Sequence, residues 1–505
     1  MQFKDVSRLV VDRVDRGEFA VHRDLFRDPE IFELEMRHIF EGTWVFLGMA
    51  SQIPKPNDFF TTNIGRTPVI VSRSAKGELA AFINSCRHRG AILCHTDSGN
   101  SKYHVCNYHG WAYDSGGKVV DIKDRKAAGY PESFDRDDHN LMPLGRFGEY
   151  RGILFGSLNP DVPSLEEHLG ETRTFLDMVM DQSPQGMELI PGVSRYTFKG
   201  NWKLQIENCV DLYHLTSAHP SFIEIVNRRK SGESKHGLKA LDFNDYRLPG
   251  VVRGSYTFEH GHAMVWGGNA APEVRPLWSM IDEVKGRVGA LRAQWMLSTR
   301  NLTIYPNVQF AENASLQIRV IRPLSVDKTE MTIYCLAPVG EPDDAREFRI
   351  RQYEDFFNST GLATPDDTTS YEDCQIGYRA RRIEWQQGYV RAIGMVQRGA
   401  DDYAKELGVN PATSMSGNFD IQDETVFHAG YREWMRLVKK GLEGTAKAKP
   451  AGIGKQAAKK AGATKPAVKK AAANKAAVNK TRAKKAVLKK SAPSKARGKA
   501  KGRAR

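Results

Sequence analysis

Two groups of residues in this 505-residue chain have the types and the spacing to bind metal. The first is Glu207-Asn-Cys-Val-Asp211-Leu-Tyr-His214-Leu-Thr-Ser-Ala-His219-Pro220. Written on a helix, Glu207, Asp211 and His214 fall at i, i+4 and i+7, on one polar face. Imidazoles and a carboxylate converging there suit a borderline divalent metal such as Fe(II). Pro220 disfavours helical backbone at the residue before it, so the helix is expected to end or bend at His219 and turn that ring inward. Taken alone, the stretch also reads as a polar helix face with two incidental histidines.

The second group is Cys86-Arg-His88-Arg-Gly90 and Cys106-Asn-Tyr-His109-Gly110-Trp111. Each pair offers one thiolate and one imidazole from a loop between strands. Four such ligands suit zinc, or a [2Fe–2S] cluster with both histidines on one iron. The tight C-x-H spacing and the glycines that follow favour loops wrapped round the bulkier cluster. Cys94, His95 and His104 lie nearby without the paired spacing and are assigned core or surface roles.

The elements that must position these groups divide the chain. Asp28 and Pro29 open an amphipathic helix over 28–40, with Phe32, Met36, Ile39 and Phe40 on its apolar face. Short β-rich runs follow at 58–64, 68–72 and 79–84, and Asp-Ser-Gly-Gly joins 111–113 to 118–122 as a hairpin. A small all-β domain over 42–160 is expected from them. Helical patterning returns after Leu165, and 194–199 reads as a strand leading into the Glu207 helix. Residues 301–323 and 329–339 alternate as strands, with helices at 342–358, 369–390 and 423–442. Together 1–41 and 161–445 are expected to form an α+β domain, an antiparallel sheet flanked by helices.

From 446 to 505 the composition changes. That segment holds 21 Lys and Arg and no acidic residue. Taking these 21 from the 74 basic residues leaves 53 against 60 acidic ones, so the net +14 hides a body of charge −7. A Lys/Ala-rich tail of this kind cannot bury a core and is expected to be disordered. It is suited to salt-dependent contact with DNA or another polyanion. No apolar run reaches the ~18 residues of a membrane span, and the first residues do not resemble a signal peptide. The six cysteines are read as reduced, in a cytoplasmic protein.

The C-x-H…C-x2-H pairs followed by Glu207-x3-Asp211-x2-His214-x4-His219 resemble the large (alpha) subunit of Rieske non-haem iron ring-hydroxylating dioxygenases. The likeness runs from about Glu18 to Leu442 and is greatest to the benzoate and anthranilate 1,2-dioxygenase branch, in stretches such as Ile39-Phe-Glu-Gly-Thr-Trp44 and Ile350-Arg-Gln-Tyr-Glu-Asp-Phe-Phe-Asn358. The resemblance implies a Rieske [2Fe–2S] cluster on Cys86, His88, Cys106 and His109. It also implies one mononuclear Fe(II) on His214, His219 and a late carboxylate. The family pattern puts that carboxylate at the second Asp after a Phe-rich helix, here Asp367, with Asp366 as the alternative; Pro-Asp-Asp-Thr-Thr is also a good helix N-cap. Asp211 would act in catalysis by holding His214 and meeting His109 of a neighbouring subunit, and Glu207 would stand behind the ligands.

The activity implied is NADH-dependent addition of both atoms of O2 to a benzoate-like acid, giving a cis-diol. Anthranilate, salicylate and substituted benzoates are the alternative substrates. Partners implied are a small (beta) subunit, in an assembly of three large and three small chains (α3β3), and a flavin and iron–sulfur reductase. The chain has no G-x-G-x-x-G after a strand and no P-loop, so its electrons must come from another protein. Two departures from the branch stand out: Arg87 between the first cysteine and histidine, and Leu212 in place of a frequent glycine. The rival class is a nucleic-acid-associated protein whose body only binds. The complete set of ligand residues speaks for the enzyme.

Overall fold

Asp28 begins the first long helix as its sequence predicts. Its carboxylate accepts from the backbone N–H of Glu30 at 2.8 Å, and Pro29 occupies the first turn of Pro29–Glu35. The chain continues as one π-helical turn, Met36–Phe40. The computed structural model describes residues 5–127, 129–230, 251–269, 271–313, 315–418 and 422–447. The basic tail expected at 446–505 therefore lies, from 448 onward, outside the described residues.

Between Val45 and Ser157 the described chain is almost all β, in three small antiparallel sheets. Asp58–Ile64, Thr67–Arg73 and Leu79–Ile83 pair in succession, with Ser98–Asn100 on the outer edge of the first. Tyr103–Val105, Ala112–Asp114 and Val119–Asp121 form the second sheet. Val45–Met49 pairs with Ile153–Ser157, which pairs in turn with Arg146–Tyr150. Cys86, Cys106, Trp111 and Tyr113 share one apolar cluster between the first two sheets, so both Cys/His loops are anchored by their cysteines.

The rest is organised on a ten-stranded antiparallel sheet. Six strands, Arg253–Thr257, Ala263–Gly267, Thr299–Ile304, Val308–Glu312, Leu316–Ser325 and Lys328–Pro338, are neighbours in chain order. Met187–Leu189 and Ser194–Phe198 both pair with Lys328–Pro338. At the other end Thr413–Gly417 pairs with Arg253–Thr257. Helices Ile281–Val288 and Ala290–Leu297 fill the connection inside this meander.

Two sequence expectations give way here. The helix expected at 369–390 runs from Thr364 to Gly377. Beyond it, Trp385 and Gln386 are captured by strand pairing with His22 and Val21, and this tertiary pairing overrides local helix preference. The stretch from Glu207 to His219 is not one helix either. Trp202–Cys209 stops short of Asp211, and Leu215–Ala218 is a separate turn of helix.

The short helix Trp202–Cys209 is held by a buried knot. Glu35 is fully buried, and its carboxylate accepts from Lys203 Nζ at 2.6 Å, Trp434 Nε1 at 2.7 Å and Trp202 Nε1 at 2.8 Å. A buried carboxylate is tolerated only when its charge and lone pairs are matched in this way. The knot ties three distant segments together: the first long helix, the helix before the histidines, and the last described helix, His428–Lys447.

Candidate metal centres

Local backbone chemistry breaks the helix before the histidines. Asp211 Oδ1 accepts from the backbone N–H of Tyr213 at 2.7 Å, an Asx turn that diverts the chain after Val210. His214 then opens the turn Leu215–Ala218, and its carbonyl accepts from Ala218 at 2.8 Å. His219 leaves helical conformation at φ −114°, ψ 39°, as its position before Pro220 requires. The next helix, Pro220–Lys230, starts from it, with the Ile223 N–H on the His219 carbonyl at 3.2 Å.

These bends bring both imidazoles to one carboxylate. His219 Nε2 lies 3.1 Å and His214 Nε2 3.4 Å from Asp367 Oδ1. Among the described residues, His214, His219 and Asp367 are the one set of His, Cys, Asp or Glu whose ligand atoms all lie within 4.8 Å of one another. Asp367 stands in the first turn of Thr364–Gly377 and is buried, as is His219. Asn208 Nδ2 donates to Asp367 Oδ1 at 3.1 Å and lies 3.3 Å from His214 Nε2.

Each histidine is backed by a second carboxylate at its other nitrogen. His214 Nδ1 is 3.0 Å from Asp211 Oδ2, and His219 Nδ1 is 3.2 Å from Asp366 Oδ2. Asp366 thus faces the rear of His219 and caps no helix: Thr364–Gly377 has no side-chain cap. Outer carboxylates of this kind fix the tautomer and aim of a metal-binding imidazole. Burial opposes charge on Asp367, but the two histidines outweigh it and hold the carboxyl well below the usual range. Burial likewise opposes charge on His214, and Asp211 and Asp367 overcome it, raising the imidazole to about 10. Two imidazoles and one carboxylate, each histidine steadied from behind, fit a divalent metal that keeps open coordination positions.

The two Cys/His loops are built alike. Cys86 N–H donates to Ala91 O at 2.8 Å and Gly90 N–H to Cys86 O at 2.9 Å; Cys106 N–H donates to Trp111 O at 2.8 Å and Gly110 N–H to Cys106 O at 2.9 Å. Both turns close through a left-handed residue, Gly90 at φ +81° and Gly110 at φ +73°, which explains the glycine in each motif. His88 Nδ1 and His109 Nδ1 are 3.1 Å apart. Both thiols are buried, and burial, with Cys106 alongside, raises the Cys86 thiol. Like ligands therefore face like, thiol to thiol and imidazole to imidazole, as a [2Fe–2S] cluster with two distinct irons requires. A single tetrahedral zinc would instead draw all four ligand atoms into one tight group. Cys94 and His104 pair with each other in the core, Sγ to Nδ1 at 3.1 Å, apart from this set.

Glu207 is placed differently from the single-face reading. Its Oε1 accepts from the hydroxyls of Tyr389, at 2.9 Å, and Tyr431. The break after Cys209 removes the helical register that would have lined it up with His214. Burial pushes its carboxyl from 4.5 up to about 7 despite both hydrogen bonds. The folded protein thus keeps a proton that the unfolded chain sheds, and this contribution to stability is full below the unfolded value and lost as pH rises through the folded one. Glu207→Gln is expected to remove that loss. Relative to the unsubstituted protein it should gain about 2–3 kcal/mol between pH 5 and 8.5 in denaturant titrations. A stability difference that does not vary with pH would contradict the shift.

One cavity wall escaped sequence reading. The space beside His214, His219 and Asp367 is also lined by Arg253, Thr299, Asn301 and Arg319 from the sheet. Polar residues at every second strand position normally mark a solvent face. Here Thr299, Asn301, Gln317 and Arg319 are buried, and that burial is the signal that a cavity lies over them.

The profile of the Rieske [2Fe–2S] domain matches residues 43–132, and that of the ring hydroxylating alpha subunit (catalytic domain) matches 190–436. The chain is 43% identical to the toluate 1,2-dioxygenase alpha subunit of Pseudomonas putida, over 87% of this chain and 95% of the relative. It is also 43% identical to the 2-halobenzoate 1,2-dioxygenase large subunit of Burkholderia cepacia, over 88% and 94%. The anthranilate 1,2-dioxygenase large subunit of Acinetobacter baylyi is 39% identical over 86% and 92%. A naphthalene 1,2-dioxygenase variant bound to phenanthrene superposes with a TM-score of 0.72 at 26% identity, covering 86% of this chain and 94% of that one. Two metal-binding constellations and near full-length identity to three such subunits lead to one assignment: the chain belongs to the Rieske non-haem iron ring-hydroxylating dioxygenases, as a large (alpha) subunit.

Proposed function

We propose that the chain hydroxylates a benzoate-type aromatic acid, adding both atoms of O2 to give a cis-diol, with anthranilate, salicylate or a substituted benzoate as the nearest alternatives. The observation that carries the reading is the convergence of His214 and His219 on Asp367 at the wall of a cavity. The three relatives quoted above, each named for an aromatic acid, support the substrate class. His214, His219 and Asp367 hold the mononuclear iron, with Asp211 and Asp366 behind the histidines. Cys86, His88, Cys106 and His109 hold the Rieske cluster. When bound, the two centres supply electron transfer and oxygen activation. The protein's own work is to aim the imidazoles, keep Asp367 ionised, and seat the acid beside them.

Segment 42–160 serves the cluster, while 1–41 and 161–445 serve the iron. A reductase carrying flavin and iron–sulfur delivers electrons from NADH, which sets the protein in the cytoplasm. Among the described residues no helix is long and apolar enough to cross a membrane. Assembly with a small subunit as α3β3 would bring His109 of one copy to Asp211 of the next. In support, Tyr108, whose ring lies 3.8 Å from that of His109, is 58% exposed. Tyr213 beside Asp211 is 48% exposed, with the Arg391 guanidinium 3.9 Å above its ring. For the tail, composition alone supports salt-dependent contact with polyanions.

Oxygen uptake by purified subunits, reductase and NADH across aromatic acids and their neutral analogues tests the reading. Diol formation from benzoate-type acids is expected; uptake only with neutral arenes would overturn the substrate class. The same preparation should hold three irons and two acid-labile sulfides per chain and be red-brown. Colourless protein with stoichiometric zinc would overturn the cluster assignment.

A further inference from the structure

Arg319 stands near the middle of the strand Leu316–Ser325, opposite Gln309 and Ile333, and is 3% exposed. It lines the cavity that His214, His219 and Asp367 line. A guanidinium cannot shed its charge in a protein, so burying one demands an anion. Two other buried arginines have one: Arg349 pairs with Glu341 at 2.6 Å, and Arg300 with Glu312. Among the described residues no carboxylate lies within ion-pair distance of Arg319. Its contacts include a long hydrogen bond from Nε to Gln317 Oε1, 3.4 Å, the Cys209 thiol, which burial raises to about 11 and so keeps neutral, and the face of Phe357, whose ring centre is 4.0 Å from the guanidinium carbon.

We propose that Arg319 receives the carboxylate of the aromatic acid, an assignment that rests on the substrate class given above. The planar fork of a guanidinium matches a carboxylate through two parallel hydrogen bonds. Stacking on Phe357 fixes the plane of that fork, and Phe357 also lines the cavity, where it offers an apolar wall to the aromatic ring. The ring is thereby oriented with its acid end on the sheet and its body towards the histidines. A neutral arene would leave the guanidinium buried without an anion, and sites built to pair a polar group discriminate strongly against ligands lacking its partner. Arg253 lines the same cavity with its side chain packed over Gly267, and the test therefore includes it beside Arg319.

The test uses the complete iron-loaded oxygenase with its reductase. Arg319→Gln is expected to raise the KM for benzoate roughly 100-fold or more, with the cluster spectrum and iron content unchanged. Benzamide, the neutral isostere, should be used no worse by this variant than by the unsubstituted protein, and Arg319→Lys should restore part of the benzoate affinity. A benzoate KM within about threefold of the original would overturn the proposal, as would equal losses for benzoate and benzamide. So would a loss that follows Arg253→Gln and spares Arg319→Gln. If Arg319→Gln fails to load iron, anaerobic titration of the unsubstituted protein decides, with equal affinity for benzoate and benzamide overturning the assignment. An unsubstituted protein that consumes no aromatic acid sinks the substrate class and this assignment together. Benzoate turnover that survives Arg319→Gln sinks the assignment alone.

Discussion

Asp211→Ala is expected to leave the cluster and most of the mononuclear iron in place while product formation falls by about 100-fold or more. The carboxylate contacts no metal position itself. Its Oδ2 is 3.0 Å from His214 Nδ1 and its Oδ1 accepts the Tyr213 N–H, so it both aims the imidazole and shapes the turn that delivers it. Asp211→Asn keeps the turn-forming oxygen but puts an amide NH2 where Oδ2 faced the imidazole, which separates the two roles. Single turnover of pre-reduced protein is the measurement. In the Ala variant the cluster should reduce normally and then fail to reoxidise when benzoate and oxygen are added. Reoxidation at the normal rate with diol formed would reduce Asp211 to a turn residue.

Asp367→Ala should abolish mononuclear iron binding outright, and Asp366→Ala should only weaken it, by about 10–100-fold. The two adjacent carboxylates are thereby told apart. Asp367 Oδ1 is within 3.4 Å of both Nε2 atoms, whereas Asp366 touches only the far side of His219. Removing Asp367 leaves two imidazoles with no carboxylate between their Nε2 atoms to bind a divalent cation. Iron analysis against the intensity of the cluster signal gives the answer: two irons per chain in Asp367→Ala, three at saturating iron in Asp366→Ala. The opposite ranking would exchange the two residues.

The candidate ligands of the Cys/His loops were legible in the sequence because their spacing is itself the constraint, whereas Asp367, in the first turn of a helix, was reached only through the family resemblance. Cys86 and His88 can meet Cys106 and His109 only if each pair closes a tight turn, and Gly90 and Gly110 announce those turns. What failed was inference across a helix break that periodicity does not reveal. Glu207, Asp211 and His214 fit a helical face on paper, but Asp211 uses its own carboxylate to end the helix. Arg319 failed for the converse reason: its alternation with apolar neighbours was regular, and only the covering of that sheet face reveals the polar positions as buried. The strands at 253–257 and 263–267 went unread because both are buried at every position, with no alternation to mark them.

The knot at Glu35 bears on the order of events in biosynthesis. Its carboxylate leaves the ribosome early, yet one of its three donors, Trp434, lies 399 residues further along the chain. Until that residue has been made, the helix Trp202–Cys209 lacks part of its anchor, and Asp367, though already synthesised, faces histidines on a loosely held support. The support of the mononuclear site is therefore complete only in the nearly finished polypeptide, whereas the Cys/His loops are complete in sequence by residue 111 and their apolar cluster by Leu141.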